Sequence, residues 1–251
     1  MDIMPGFSIN DARDLAQDLA LNYPTPRFYR ECEKEMRLSR GVYDSSGVVA
    51  FFREQVNNRE AAFGHGIAHA QLVAIESGAI IARERGREEN ITSLIECGQV
   101  AGLLHDIKRG GRDHAREGAL EAERLLSGSM LAGREAQAIV SAIRNHEAFH
   151  ETETIEDDMG SLVSGALYDA DKFRWGPDNF TATLWDIIED AHIDIRYALM
   201  GYQKGMEGIG RIRETFRTET GKKYGPEFID IGILLGKELY EKLLKRMGSD
   251  D

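Results

Sequence analysis

The stretch AGLLHDIKRGGRDHAREGAL, Ala101–Leu120, decides how the rest of the chain is interpreted. An apolar run ends in His105-Asp106, a basic and glycine-rich turn follows, and His114 comes eight residues after Asp106. An imidazole and a carboxylate at the end of an apolar run suggest two alternatives. They form either a solvated helix terminus, where histidine interacts with the helix dipole, or one corner of a metal site.

The sequence around this stretch has the spacing of α-helices. Leu94, Gly98, Ala101 and His105 share one helical face, and Asn90 precedes them as a cap. No segment alternates apolar and polar residues as a half-buried strand does, so we predict an all-α fold, a compact multi-helix bundle. We expect a single domain over 1–251, with a metal-binding core at about 60–200 and helical additions at 1–45 and 201–251. The predicted helices cover 9–20, 45–58, 66–85, 91–107, 115–127, 133–147, 161–173, 180–200 and, opened by Pro226, 226–247.

Composition and charge exclude several classes of protein. The 251 residues are 42% hydrophobic and 29% charged, which is typical of a globular protein. The net charge of -12 argues against non-specific binding to a nucleic acid duplex or an anionic membrane. No run approaches the ~20 apolar residues that span a bilayer, and the N-terminal stretch lacks the apolar core of a signal peptide. Because Cys32 and Cys97 form no disulfide framework, we expect a cytoplasmic protein.

Histidines and aspartates recur near the predicted helix ends. Of seven histidines, six lie between residues 65 and 150. If the helices pack as a bundle, their ends converge on one pocket. Imidazole and carboxylate together suit Mn, Fe, Co, Ni or Zn, and a cation held this way lowers the pKa of water toward neutrality. The candidates are His69, His105, Asp106, His146 and Asp171.

Five short motifs occur in an order that resembles the HD-domain metal-dependent phosphohydrolases. They are HAQLV at 69–73, AGLLHDI at 101–107, HAREGA at 114–119, AIRNHE at 142–147 and YDADKF at 168–173. The resemblance covers about residues 60–200. This chain departs from the family where Lys108-Arg109 replaces a frequent Gly-Lys and where Lys172-Phe173 replaces Arg-Leu.

The resemblance implies a role for each matching residue. His69, His105, Asp106 and Asp171 would hold one divalent transition-metal ion, with Mg as a further option, and Asp169 would either orient a ligand or be structural. His114 and His146 would bind a second ion, as in binuclear members, or contact substrate and orient water. Asp106 would also help to position or deprotonate the water.

Charged residues around these positions suit an anionic substrate. The flanking basic residues are Lys108, Arg109, Arg112 and Lys172, and of these we count Lys108 and Arg109 with Asp106, His114 and His146 as catalytic candidates. Asp113 would orient His114. We expect His65, His150 and His192 to be solvated, capping or packing residues.

The resemblance implies hydrolysis of a phosphoester in a nucleotide or another small phosphorylated metabolite. Two alternatives stay open, a di-iron oxygenase of the same superfamily and a catalytically silent nucleotide sensor. Neither the substrate nor the oligomeric state follows from the sequence, which is compatible with a homo-oligomer.

Overall fold

The computed structural model describes residues 8–60, 66–86, 88–111, 113–131 and 133–248. In these ranges the chain forms α-helices and no β-strand, which confirms the all-α prediction. One five-residue π-helical turn, Asn179–Thr183, interrupts the series. The helices are α1 (Ile9–Ala20), α2 (Arg27–Glu31), α3 (Glu33–Ser45), α4 (Gly47–Glu60), α5 (Ile67–Arg85), α6 (Ile91–Leu104), α7 (His114–Leu126), α8 (Arg134–Arg144), α9 (Asp158–Phe173), α10 (Leu184–Asp190), α11 (Ile195–Ile212) and α12 (Glu219–Gly248).

The chain divides into two compact units. The first unit comprises the described parts of Met1–Arg27, Phe173–Thr215 and Tyr224–Asp251. The second comprises those of Phe28–Lys172 and Phe216–Lys223. The predictions of a single domain and of terminal helical additions stay predictions.

Helices α5 and α6 form the centre of the second unit. Every residue from Val73 to Ala82 in α5 is buried, as is every residue from Cys97 to His105 at the end of α6. A helix that is buried on all sides belongs to the interior of a domain. Helix α5 also contacts α3, and α6 contacts α4 and α8, while α7 packs on α8. The apolar run that ends in His105 is therefore the core of this unit.

In the C-terminal part of the chain, two predicted helix boundaries are wrong. The segment 180–200 is not one helix, because the chain breaks after Asp190 and Asp194 caps α11 by accepting a hydrogen bond from the Arg196 N–H. Pro226 does not open the last helix either. It lies inside α12, which begins seven residues earlier at Glu219. Tyr224 and Phe228 are buried on both sides of Pro226. Their packing offsets the loss of the helical hydrogen bond that proline, which has no backbone N–H, cannot donate.

The starts of α4 and α6 differ in how they are capped. Ser46 begins α4 by accepting a hydrogen bond from the Val49 N–H, whereas the Asn90 side chain makes no cap bond at α6. Cys32 and Cys97 are both buried, and neither forms a disulfide within the described residues. Among the described helices, none is both long and apolar enough to cross a membrane.

Candidate metal centre

Six residues that the sequence singles out lie together in the second unit. His69 is in the first turn of α5, and His105 and Asp106 directly follow α6. The others come from three different parts of the chain: His114 begins α7, His146 follows α8, and Asp171 lies near the end of α9. Elements far apart in sequence therefore supply one cluster.

Four donor atoms form the first group in this cluster. His69 Nε2 lies 3.2 Å from His105 Nε2 and 3.4 Å from Asp171 Oδ1. His105 Nε2 lies 3.6 Å from both Asp171 Oδ1 and Asp106 Oδ2, and the His69 Nε2–Asp106 Oδ2 distance is 3.9 Å. Two donors bound tetrahedrally to one ion at about 2.1 Å lie about 3.4 Å apart. These five distances are therefore compatible with ligands that share one ion.

The second group contains the other oxygen of Asp106. Asp106 Oδ1 lies 3.7 Å from His114 Nε2 and 3.7 Å from His146 Nε2. These three residues could hold an ion, as could His69, His105 and Asp106. One carboxylate thus offers a separate oxygen to each group.

Hydrogen bonds orient three of the four imidazole rings. His105 Nδ1 lies 2.8 Å from the Gly102 carbonyl oxygen, and His146 Nδ1 lies 2.6 Å from the Ile143 carbonyl oxygen. Since a carbonyl only accepts, each Nδ1 carries the hydrogen and donates it. His114 Nδ1 lies 2.8 Å from Glu147 Oε1, a carboxylate acceptor that likewise keeps the hydrogen on Nδ1. When such a ring is neutral, its lone pair is on Nε2, the atom that faces the cluster.

Two glycines permit the helix contacts that bring these side chains together. A Cβ on Gly102 would lie 2.5 Å from the Ala74 Cα, so α6 meets the backbone of α5 at this point. A Cβ on Gly118 would lie 3.2 Å from the His105 carbonyl oxygen, so α7 runs close beside the end of α6. Gly102 needs a residue without a side chain, and a side chain at Gly118 would be crowded against this carbonyl.

The charges in the cluster reinforce one another. Burial disfavours ionised Asp106, but His105, His146 and Arg109 outweigh it and hold the pKa of this carboxyl well below its usual range. Burial likewise opposes ionised Asp171, and neighbouring Lys172 with the two histidines lowers its pKa. Both carboxylates are therefore ionised at neutral pH, the form in which they bind cations.

The pKa values of His105 and His114 shift in opposite directions in this environment. Burial opposes charge on His105, yet Asp106 and Asp171 raise its pKa. At His114, burial and the neighbouring His146 lower the pKa in spite of Asp106. His114 thus has the stronger tendency to be neutral, which is the form that binds a metal.

Residues beside the cluster hold the end of α9. The Lys172 ammonium donates to Asp171 Oδ2, which leaves Oδ1 facing the histidines. Asp169 lies on another side of the helix. It accepts hydrogen bonds from the Arg217 N–H (2.7 Å), the Thr218 N–H (2.8 Å) and the Thr218 hydroxyl (2.7 Å), and burial raises its pKa to about 6. Asp169 is therefore a structural acceptor, as the resemblance implies.

Besides Lys172, Arg109 is the predicted basic residue that contacts a candidate ligand within the described ranges. Its Nη1 donates to Asp106 Oδ2 at 2.9 Å, and half of its side chain is exposed. Lys108 is exposed and makes no side-chain hydrogen bond or ion pair to the residues described. Arg112 and His65 lie outside the described residues.

The sequence interpretation missed Glu147. We expected Asp113 to orient His114, but Asp113 is exposed and its ion-pair partner is Arg116 at 3.9 Å. Glu147 Oε1 contacts His114 instead, and Oε2 lies 3.2 Å from His150 Nε2. A signal was present, because Glu147 directly follows His146 as Asp106 follows His105. His192 belongs to the first unit, away from these residues in the chain.

Comparison with models of protein families, with curated proteins and with solved structures finds no match for this chain. Any functional conclusion therefore rests on the residues and their geometry.

Proposed function

We propose that the protein is a metal-dependent phosphohydrolase that cleaves a phosphoester of a small, nucleotide-like metabolite. One observation carries the proposal: Asp106 directs Oδ2 to one group of ligand atoms and Oδ1 to another. A carboxylate shared in this way is typical of sites that hold two cations for phosphoryl chemistry. The order of the five motifs, which resembles the HD-domain phosphohydrolases, points to the same activity.

The donor chemistry selects among cations. Four imidazoles and two carboxylates fit Mn, Fe, Co, Ni or Zn, whereas Mg prefers oxygen ligands and retains water. His69, His105, Asp106 and Asp171 would hold the first ion, and Asp106, His114 and His146 the second. When bound, such a cation lowers the pKa of water toward neutrality and withdraws charge from a phosphoryl oxygen.

The chain's own residues would perform the remaining tasks. The Gly102 and Ile143 carbonyls keep His105 and His146 in one tautomer, and Glu147 does the same for His114. Arg109 combines a contact to Asp106 with an exposed guanidinium, so it can neutralise phosphate charge at the opening of the site. Lys108 would add positive charge from the adjacent exposed position.

Metal analysis and a hydrolysis screen test the proposal together. The purified protein should contain a transition metal, and with Mn, Co, Ni or Zn it should hydrolyse at least one member of a broad phosphoester panel. Asp106→Ala should abolish both properties. Asp113→Ala is the matched control, because it removes an exposed carboxylate beside His114 and should leave both unchanged. Absence of any hydrolysis by the metal-loaded wild type would contradict the proposal.

The shared carboxylate also favours a second candidate, a di-iron oxygenase. The same six ligands would hold two irons with Asp106 between them. This candidate predicts close to two irons per chain and consumption of oxygen in the presence of a substrate. A single tightly held Mn or Zn and hydrolysis without oxygen would decide for the phosphohydrolase.

A further inference from the structure

A polar cavity in the second unit lies apart from the six candidate ligands. Its volume is 620 Å³, within the range of small-molecule sites. Its lining includes the buried residues Asn145, Ser164, Gly165 and Thr218 and the more exposed residues 152–155 and 217. None of the six candidate metal ligands lines it.

Arg217 is the distinctive group of this cavity. Its guanidinium carbon lies 3.6 Å from the centre of the Tyr168 ring, a stacked cation–π contact. Across the described ranges, this guanidinium makes no hydrogen bond and no ion pair. Burial lowers the pKa of Arg217, which reflects how far the charge is removed from water. A guanidinium in this position has five N–H donors that the described protein atoms leave unused.

The acidic residues that line the cavity already have other partners. Glu84 accepts the Thr220 N–H, Glu153 pairs with Arg144 at 2.9 Å, and Asp158 pairs with Arg85. Glu219 pairs with Lys222 at 2.8 Å. These carboxylates still make the surroundings negative, so the cavity disfavours a polyanion. It suits a ligand with one anionic group.

Asp169 is the remaining candidate partner for Arg217. The charge of Asp169 raises the pKa of Arg217. Both oxygens of Asp169, however, already accept hydrogen bonds from the backbone of residues 217 and 218 and from the Thr218 hydroxyl. No carboxylate oxygen of Asp169 lies within ion-pair distance of the guanidinium in the described structure. The fork of Arg217, a residue that lines the cavity, is therefore not occupied by this carboxylate.

Hydroxyl groups complete the polar lining. Thr152, Thr154 and Ser164 line the cavity, and their side chains make no hydrogen bonds within the described ranges. The Cβ of a residue at Gly165 would lie 3.0 Å from Thr218, so the glycine lets the segment with Arg217 lie close to α9. The guanidinium of Arg217 thus offers a positive charge with paired N–H donors, and the hydroxyls offer neutral donors to the same cavity.

We infer that this cavity is a binding site for a small oxyanion, the phosphate or carboxylate group of a polar metabolite, held by Arg217. The anionic group would accept hydrogen bonds from the edge of the guanidinium, whose face stacks on Tyr168, and the hydroxyls of Thr152, Thr154 and Ser164 would contact the remaining polar atoms. The site does not depend on the proposed hydrolase activity, because none of its residues belongs to the candidate metal centre.

Calorimetric titration of metal-free protein tests the inference. Protein stripped on a chelating resin is titrated with inorganic phosphate and, separately, with acetate, at a constant ionic strength set by chloride. We expect saturable binding of at least one of the two, and the preferred probe identifies a phosphoryl or a carboxylate ligand. Lack of saturable binding of both would overturn the inference.

Variants assign the binding to this cavity. Arg217→Gln should weaken binding of the preferred probe at least tenfold. Arg85→Gln is the matched control, since it removes a second arginine of the same lining that already pairs with Asp158, and it should change affinity less than threefold. Equal affinity in wild type and Arg217→Gln would overturn the assignment. Should Arg217→Gln fail to fold, Ser164→Ala serves instead: about threefold weaker binding supports the site, and unchanged binding counts against it.

Discussion

Glu147 Oε1 lies 2.8 Å from His114 Nδ1, while the opposite ring nitrogen of His114 lies 3.7 Å from Asp106 Oδ1. The carboxylate therefore fixes the hydrogen on Nδ1 and points the lone pair of Nε2 at the second group of donors. Such an arrangement of carboxylate, imidazole and cation is common in metal sites, and the outer carboxylate contributes to affinity. If two ions bind, Glu147 acts on the second.

Replacing Glu147 should therefore weaken one metal site selectively. We expect Glu147→Ala to lower the affinity for the second ion about 10- to 100-fold, and to leave the ion at His69, His105 and Asp171 in place. Metal titration by calorimetry, with the bound ions counted by elemental analysis, measures the effect. Glu151→Ala removes an exposed carboxylate of the same loop and should change nothing. Equal weakening of both ions would contradict this role.

Lys172 should stabilise the metal-free protein more than the metal-loaded protein. Its buried ammonium pairs with Asp171, and breaking a buried pair typically costs about 3–5 kcal/mol. A bound cation would compensate the Asp171 charge and reduce the loss from Lys172→Met. Urea unfolding of both forms measures the difference.

The control for Lys172 is Lys34→Met, at an exposed position of α3, which should have little effect in either form. The same loss of unfolding free energy from Lys172→Met with and without metal would show that Asp171 does not bind the ion.

The contact between α5 and α6 should tolerate no side chain at Gly102. A Cβ there would lie 2.5 Å from the Ala74 Cα, so Gly102→Ala must push the two helices apart and should lower the unfolding free energy by about 1–3 kcal/mol. The same displacement should weaken metal binding, because His69 and His105 come from these helices.

Gly41 offers a matched comparison within α3. A Cβ at this position meets nothing within 4 Å, so Gly41→Ala should raise the unfolding free energy by about 0.4–1 kcal/mol. Denaturant unfolding of both variants provides the test. A stable Gly102→Ala variant with unaltered metal affinity would mean that the helix contact does not position the histidines.

Cys97 should be unreactive in the folded protein. Burial raises the pKa of this thiol to about 12, so at pH 8 only about one molecule in ten thousand carries the reactive thiolate. Cys32 is equally buried. An aromatic disulfide reagent should detect no thiol in the native state and two in denaturant. Fast reaction of one thiol in native protein would contradict this burial.

Local sequence was enough to predict several parts of this protein. Helical spacing over short windows predicted α5, α6 and α9, because the 3.6-residue repeat is a property of each segment alone. The spacing also predicted that His105 and Asp106 come at the end of a buried helix, which the structure bears out. The choice of His69, His146 and Asp171 relied on the order of motifs.

Where segments depend on distant partners, the same reasoning was insufficient. Buried Tyr224 and Phe228 keep α12 continuous across Pro226, and the capping carboxylate of Asp194 begins a new helix within 180–200. In both places packing or capping, and not the local pattern, decides where the helix begins.

The sequence by itself determined that the chain is helical and which imidazoles and carboxylates stand at helix ends, since both follow from residues near one another in the chain. Only the tertiary structure decided that the two oxygens of Asp106 face different groups, that Glu147 contacts His114, and that Arg217 faces a cavity. The physical reason is that the close packing of buried faces sets how each helix is rotated and placed against its neighbours. Contacts between residues 33 or more positions apart, such as His114–Glu147 and Asp169–Arg217, exist only after that packing.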